Sequence, residues 1–163
     1  MAGRGVLFAI TEETTSALLA ASSDEAVMEI VERIEEEWNE AYVAETDKAW
    51  DAMHRTLSDG SLDNEAGEYP LNRTIFGGKH LHEGDDYIVA LVPKDEVPDV
   101  ARALASIDEK TFRDRYHRLV PKAYALEYGD DDLDYTWENF GDVAELYARA
   151  ARDGCAVIFT VDQ

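Results

Sequence analysis

The chain of 163 residues carries 36 aspartates and glutamates against 15 lysines and arginines, which gives a formal net charge of −21. This charge argues against nucleic acid and anionic membranes as partners, because both are polyanions that bind clustered cations. No stretch reaches the roughly 18 apolar residues that a membrane span needs. The single cysteine, Cys155, permits no intrachain disulfide and fits a reducing, cytoplasmic compartment. Length and composition predict a single domain over residues 1–163.

The acidic excess allows two interpretations. A negative field speeds the encounter with a basic protein, and an acidic surface also keeps a protein dispersed in solution. The sequence alone does not separate a basic protein partner from simple solubility. We expect a monomer or a weak homo-oligomer, and we predict no metal and no cofactor.

Apolar runs and capping residues define the first elements. The run at 5–10 predicts a buried strand, and Thr11 is placed to cap a helix that ends near residue 20. One of residues 22–24 caps the next helix, in which apolar residues follow helical spacing from 27 to 38. Residues 42–45 fit either a short strand or a linker.

The stretch from 47 to 81 is predicted to be the centre of the fold. Thr46 or Asp47 is expected to cap a third helix, which carries Trp50 and ends near residue 57. A polar loop at 61–69 and a possible helical turn at 70–76 lead to Gly77 and Gly78, which permit positive φ or a close backbone approach. We expect the Trp50 side chain to lie near this glycine corner and near the two terminal strands.

The second half of the chain also contains apolar runs and capping residues. Residues 87–92 predict a central strand, and the segments 97–107 and 108–119 predict two helices, the second capped by Asp108. Residues 122–128 are compatible with an extended segment, and 129–134 with an acidic loop. A long helix to 153 and a strand at 155–161 complete the chain. Because helices outnumber strands and do not alternate with them regularly, we predict an α+β fold with a small mixed sheet of three to five strands.

Two groups of residues have the spacing of a catalytic or metal-binding site. Asp47 and His54 lie two helical turns apart and form a possible acid/base set with Asp51, although a histidine beside Trp50 is also expected at the rim of a core. The spacing of His80 and His82 would let two imidazoles reach one metal ion. An accidental surface pair is the favoured explanation of these two histidines, since zinc usually takes four ligands.

Two longer motifs carry a family resemblance. The segments DKAWDAMH at 47–54 and PLNRTIFGG at 70–78, with the LDY and ENF pieces at 133–135 and 138–140, resemble the YfbM-like bacterial family of unknown function (DUF1877). The likeness covers nearly the whole chain. It implies a compact α+β fold, and it implies no activity, ligand or catalytic residue.

The sequence therefore leaves two functional hypotheses. The first is a non-catalytic module that binds another protein through its acidic surface, with a basic protein as one candidate partner; immunity or antitoxin proteins belong to this class. The second is a small-molecule-binding protein or hydrolase, because polar and aromatic residues cluster in the distinctive motifs and ligand pockets combine those types. The predicted pocket residues are Asp47, Trp50, His54, Phe76, Gly77, Gly78, Asp134, Tyr135 and Asn139.

Overall fold

The described part of the chain forms a five-stranded sheet with helices on both faces. The computed structural model describes residues 3–82, 84–122, 124 and 131–162. The strand order is β2-β1-β5-β4-β3, and every neighbouring pair is antiparallel. The predicted α+β class and strand number are confirmed, with antiparallel pairing throughout in place of a mixed sheet. The strands are β1 (Gly5–Ile10), β2 (Val43–Asp47), β3 (Lys79–His80), β4 (Tyr87–Val92) and β5 (Ala156–Asp162).

Six helices with bounds inside the described residues pack on this sheet, and local capping explains where several of them begin. Thr11, Ser23 and Asp108 each accept a hydrogen bond from a backbone N–H of the first turn, as predicted for residues of this type. Two short 3-10 turns lie at Glu40–Tyr42 and Leu71–Arg73. The helices are α1 (Glu12–Ala20), α2 (Asp24–Glu37), α3 (Trp50–Leu57), α4 (Val97–Ala105), α5 (Glu109–Leu119) and α6 (Asp131–Asp153).

Alternation along the strands divides the core between the two faces of the sheet. Leu7 and Phe159 point to the face covered by α3, α4, α5 and α6. Phe8 and Ile158 point to the opposite face, where α1 and α2 pack. The larger core therefore lies under α3 to α6, and it is this side that positions the candidate site.

Trp50 lies at the centre of the larger core and is 1% exposed. Its ring centroid is 5.6 Å from that of Phe159 on β5 and 6.2 Å from that of Phe76, next to the glycine corner. The indole Nε1–H donates to the carbonyl of Gly3, 3.0 Å away. Gly5 allows this approach, since a Cβ there would lie 2.9 Å from the indole. The predicted position of Trp50 is confirmed.

Other local predictions need correction. Residues 42–45 belong mostly to strand β2, which resolves the choice between strand and linker. The predicted cap of α3 is wrong, because Thr46 lies in β2 and uses its hydroxyl to donate to the carbonyl of Gly5, 2.8 Å away. Helix α6 begins at Asp131, within the predicted acidic loop.

The predicted extended segment at 122–128 lies largely outside the described residues. Its two described members, Lys122 and Tyr124, are helical. Among the helices of the described ranges, none has both the length and the apolar character that crossing a bilayer requires.

Candidate functional site

The site begins at Asp47, where the chain turns from β2 into α3. Asp47 has a φ of 47°, a left-handed conformation that aspartate tolerates better than most residues. The turn is closed by the N–H of Ala49, which donates to the carbonyl of Thr46 at 2.8 Å. This bend directs the Asp47 carboxylate away from the sheet and toward α6.

Tyr135 of α6 meets this carboxylate. Its hydroxyl donates to Asp47 Oδ2 at 2.6 Å, and Arg4 lies 3.4 Å from Oδ1 in a solvent-exposed pair. Partial burial and the hydrogen bond to Asp47 raise the pKa of Tyr135 to about 12. Tyr135 therefore stays protonated at neutral pH and joins α6 to the end of β2.

A cavity of about 400 Å³ opens beside this contact, between α3 and α6, and we call it the α3–α6 cavity. Its wall combines carboxylates with two aromatic rings and one ammonium group. Three of these residues lie between the end of β2 and the first turn of α3, and three come from the first turns of α6. The lining residues are Asp47, Lys48, Asp51, Tyr124, Asp131, Asp132 and Tyr135.

Asp51 is the most deeply buried carboxylate of the wall, with a side chain 6% exposed. Arg55, one turn further along α3, donates from Nε to Asp51 Oδ1 at 2.7 Å. The same guanidinium lies 5.6 Å from the centroid of the Tyr124 ring and donates to the carbonyl of Gly60. Two wall residues, Asp51 and Tyr124, thus already contact one arginine side chain of the protein.

Asp132 faces Asp51 from the other side of the cavity. Burial raises the pKa of Asp132, the hydrogen bond from the Tyr116 hydroxyl at 2.5 Å opposes this shift, and the Asp51 carboxylate adds to it. A carboxyl with a raised pKa takes up protons on folding, so its contribution to stability declines as the pH rises above its unfolded pKa. The ionised form of Asp132 is therefore less favourable in the folded protein than in the unfolded chain.

We expect the variant Asp132→Asn to unfold at a higher urea concentration than the wild type at pH 7. The amide accepts the Tyr116 hydrogen bond without repelling Asp51, so the advantage should shrink toward pH 4, where the wild-type carboxyl becomes protonated. Urea unfolding followed by circular dichroism at several pH values measures this difference. The variant Asp131→Asn removes an exposed charge from the same helical turn and should show no comparable pH dependence. An Asp132→Asn variant that is less stable at pH 7 than at pH 4, relative to the wild type, would contradict the expectation.

The structure distributes the nine predicted pocket residues over several places. Asp47 and Tyr135 line the α3–α6 cavity, and Asn139 lines a smaller cavity of about 290 Å³ that shares Asp47 with it. Asp134 points instead to Arg113 of α5, in an ion pair of 2.7 Å.

Trp50, His54 and Phe76 of the predicted pocket lie in or against the core, unlike Tyr135. Trp50 and His54 are each 1% exposed, and both rings pack on Phe76. Burial lowers the pKa of His54, whose Nε2 lies 3.2 Å from the carbonyl of Asp63. Of the suggested acid/base set, Asp47 and Asp51 line the cavity while His54 does not.

Gly77 and Gly78 line a separate cavity of about 720 Å³. Both glycines allow close backbone approaches, as predicted. A Cβ at Gly77 would lie 1.9 Å from the carbonyl oxygen of Asn72, and one at Gly78 would lie 2.7 Å from that of Leu91. These contacts explain why both positions are glycine, since a larger residue would displace the backbone.

The two histidines of the metal-like motif have separate partners. His80 Nε2 lies 2.8 Å from the carbonyl of Phe76. His82 lies between Asp24, at 3.7 Å, and Asp86, at 3.3 Å. Within the described ranges, no group of three or more histidine, cysteine, aspartate or glutamate side chains is placed to share a metal ion.

Sequence reasoning missed Lys48, Tyr124, Asp131 and Asp132 as members of the wall. For α6, the spacing of its first residues could have predicted two of these wall positions. Residues three and four positions apart share a helix face, so Asp131 and Asp132 lie on the same side as Tyr135. Asp134, adjacent to Tyr135 in sequence, is directed to α5 instead.

Comparisons with known proteins give a family match and a fold match. The model of a family described as "Domain of unknown function (DUF1877)" matches residues 1–160. The fold is similar to the crystal structure of YfbM from Escherichia coli, a protein of unknown function, with a TM-score of 0.67 and 18% sequence identity. That similarity covers 97% of this chain and 99% of the other. No curated protein gives a significant match.

Proposed function

The chain belongs to the DUF1877 family, as its sequence motifs predicted, and because that family has no stated function we propose one from the cavity itself. The protein is a non-catalytic binding module that takes an arginine or lysine side chain of a basic partner protein into the α3–α6 cavity. The observation that carries this proposal is the composition of the cavity wall.

The wall is suited to a cation. Its residues are four aspartates, two tyrosines and Lys48, and its volume of about 400 Å³ lies within the range of ligand pockets. Carboxylates pair with a guanidinium or ammonium group, and tyrosine faces attract the same groups. Arg55 illustrates the arrangement within the protein, since it contacts Asp51 and the Tyr124 ring together.

The charge of the whole chain supports the same kind of partner. A net charge of −21 attracts a basic protein over distances of about a Debye length, roughly 8 Å at physiological ionic strength. The pull is strongest where carboxylates line a concave surface, because low-dielectric walls focus the field. Binding should therefore weaken as salt is added.

The proposal is tested with an isolated arginine side chain. We expect N-acetyl-arginine-N′-methylamide to bind in the millimolar range, and the uncharged citrulline analogue of the same shape not to bind, in titrations followed by NMR. Asp47→Asn should weaken arginine binding several-fold, since it removes one wall carboxylate. Glu32→Gln, which removes an exposed charge from α2 on the opposite face of the sheet, is the matched control.

Two results would overturn the proposal. One is equal binding of the arginine and citrulline amides, which would show that charge is not recognised. The other is an arginine amide that binds nowhere near Tyr135 and Asp132, as judged by the chemical shifts of their amide groups.

The cavity volume also favours a second candidate, a free small cation as ligand. This candidate replaces the small-molecule pocket predicted from the sequence. Of the residues predicted for that pocket, Asp47 lines the α3–α6 cavity, whereas Trp50 lies in the core and Gly78 lines another cavity. Affinity separates the two candidates. A lone side chain of a larger interface binds weakly, whereas a cognate small molecule of similar size should reach micromolar affinity.

A further inference from the structure

The edge of the sheet at β2 has no role in the proposed function of the α3–α6 cavity. Among the strands of the described residues, β2 lies at the end of the strand order and pairs with β1 alone, so alternate backbone N–H and C=O groups along it face away from the sheet. The opposite edge differs, since β3 has only two residues and carries Lys79. Short charged edges of that kind resist pairing with other chains.

A groove follows the free edge of β2. One cavity of about 320 Å³ is walled by Val43 to Glu45 of β2 on one side and by α6 on the other. A second, of about 290 Å³, continues along Glu45 and Asp47. The two cavities share Glu45, and the second shares Asp47 with the α3–α6 cavity. We call the first two together the β2–α6 groove.

The groove is acidic on both sides. Its carboxylates are Glu40, Glu45, Asp47, Asp142 and Glu145. Its two arginines are already engaged within the chain. Arg149 donates to the carbonyl of Ala41, and Arg4 pairs with Asp47. Trp38, which is 38% exposed, provides an aromatic surface at one end.

We propose that the β2–α6 groove binds an extended, basic segment of a partner protein, which adds to β2 as a sixth strand. Main-chain hydrogen bonds to a free edge supply affinity in such complexes, and side-chain contacts supply specificity. Here the flanking carboxylates select arginine and lysine. The inference rests on the proposed function for the basic character of the partner, and it adds the conformation of the bound segment and the place where it binds.

A second copy of this chain is a poorer occupant of the same edge. Pairing β2 with β2 would bring Glu45 and Asp47 of both copies together, and like charges opposite each other destabilise strand pairs. Charge complementarity therefore favours a basic segment over self-association.

The test uses a synthetic ten-residue peptide of alternating arginine and threonine, with blocked ends. We expect it to bind, and we expect at least one amide hydrogen of Val43, Ala44 or Glu45 to exchange at least tenfold more slowly in the complex. A peptide with the same sequence but with four consecutive central amides N-methylated keeps every charge and loses donors on both edges. It should bind at least tenfold more weakly and protect no β2 amide.

Several outcomes would overturn the inference. These are equal affinity of the methylated and unmethylated peptides, binding without protection of β2, no binding at all, or a dimer in solution whose β2 amides are already protected. The variant Glu145→Gln should weaken peptide binding, whereas Glu32→Gln should not.

Failure here is distinguishable from failure of the proposed function. Arginine-amide binding at Tyr135 without β2 protection leaves the cavity proposal intact and removes strand addition. If the methylated peptide alone loses affinity and the arginine amide does not bind in the cavity, strand addition is supported and the cavity proposal is removed.

Discussion

Replacing Trp50 with alanine is expected to lower the free energy of unfolding by about 3–5 kcal/mol. The indole is 1% exposed and packs on Phe76 and on Phe159, so its removal leaves a large cavity where α3, the glycine corner and β5 meet. The loss also leaves the Gly3 carbonyl without its indole donor. Since small domains are stable by about 5–15 kcal/mol, this change removes a large part of the total. Urea unfolding followed by circular dichroism measures it.

Two variants separate packing from hydrogen bonding at this position. Trp50→Phe keeps much of the ring contact and loses the Nε1–H donor, so we expect a smaller loss than for alanine. Trp38→Ala removes a tryptophan that is 38% exposed and should cost much less than Trp50→Ala. A Trp50→Ala variant within about 1 kcal/mol of the wild type would contradict the central position of this residue.

Replacing Arg55 with methionine is expected to cost about 3 kcal/mol of stability. The side chain of Asp51 is 6% exposed, and Arg55, 19% exposed, is its ion-pair partner. Without the guanidinium, a buried carboxylate would remain beside Asp132 without its ion-pair partner, and this is costly in a medium of low dielectric constant.

A double-mutant cycle checks the reason for this loss. The double variant Asp51→Asn with Arg55→Met removes both charges, and we expect it to be more stable than Arg55→Met alone. The control is Arg102→Met, because the Arg102–Asp99 pair is exposed and such pairs contribute about 1 kcal/mol or less. Equal losses for Arg55→Met and Arg102→Met would show that burial of the Asp51 pair has little energetic weight.

Local signals were sufficient to predict most helices and strands. Thr11, Ser23 and Asp108 cap their helices because their side chains reach backbone N–H groups only three residues away, and such contacts can be predicted from sequence. The apolar run at β4 likewise determines a buried strand wherever its neighbours lie.

The start of α3 shows where local reasoning fails. Thr46 has the chemistry of a capping residue, yet its hydroxyl donates to Gly5, 41 positions away, across the β1–β2 pair. Asp47 adopts a left-handed conformation and accepts a hydrogen bond from Tyr135, 88 positions away. Tertiary contacts compete with capping at these positions, and no local pattern reveals them.

The candidate site was only partly accessible from sequence for the same reason. Asp47 and Tyr135 were among the predicted residues, and each belongs to a distinctive motif. Trp50 and His54 belong to the same motif as Asp47 but point into the core, because they lie one turn apart on the same face of α3, whereas Asp47 is the last residue of β2. The side on which each residue of a motif lies depends on how α3 and α6 pack, which only the structure provides.

The position of β5 has a consequence for how the chain is made. This strand, at Ala156–Asp162, is the last described strand to leave the ribosome, yet it lies between β1 and β4 in the middle of the sheet. Until it emerges, the β1–β2 and β3–β4 pairs have no strand to join them. The hydrophobic layers of the nascent polypeptide therefore cannot close until residues 156–162 have been translated, a period in which a chaperone that shields apolar surface would be of use.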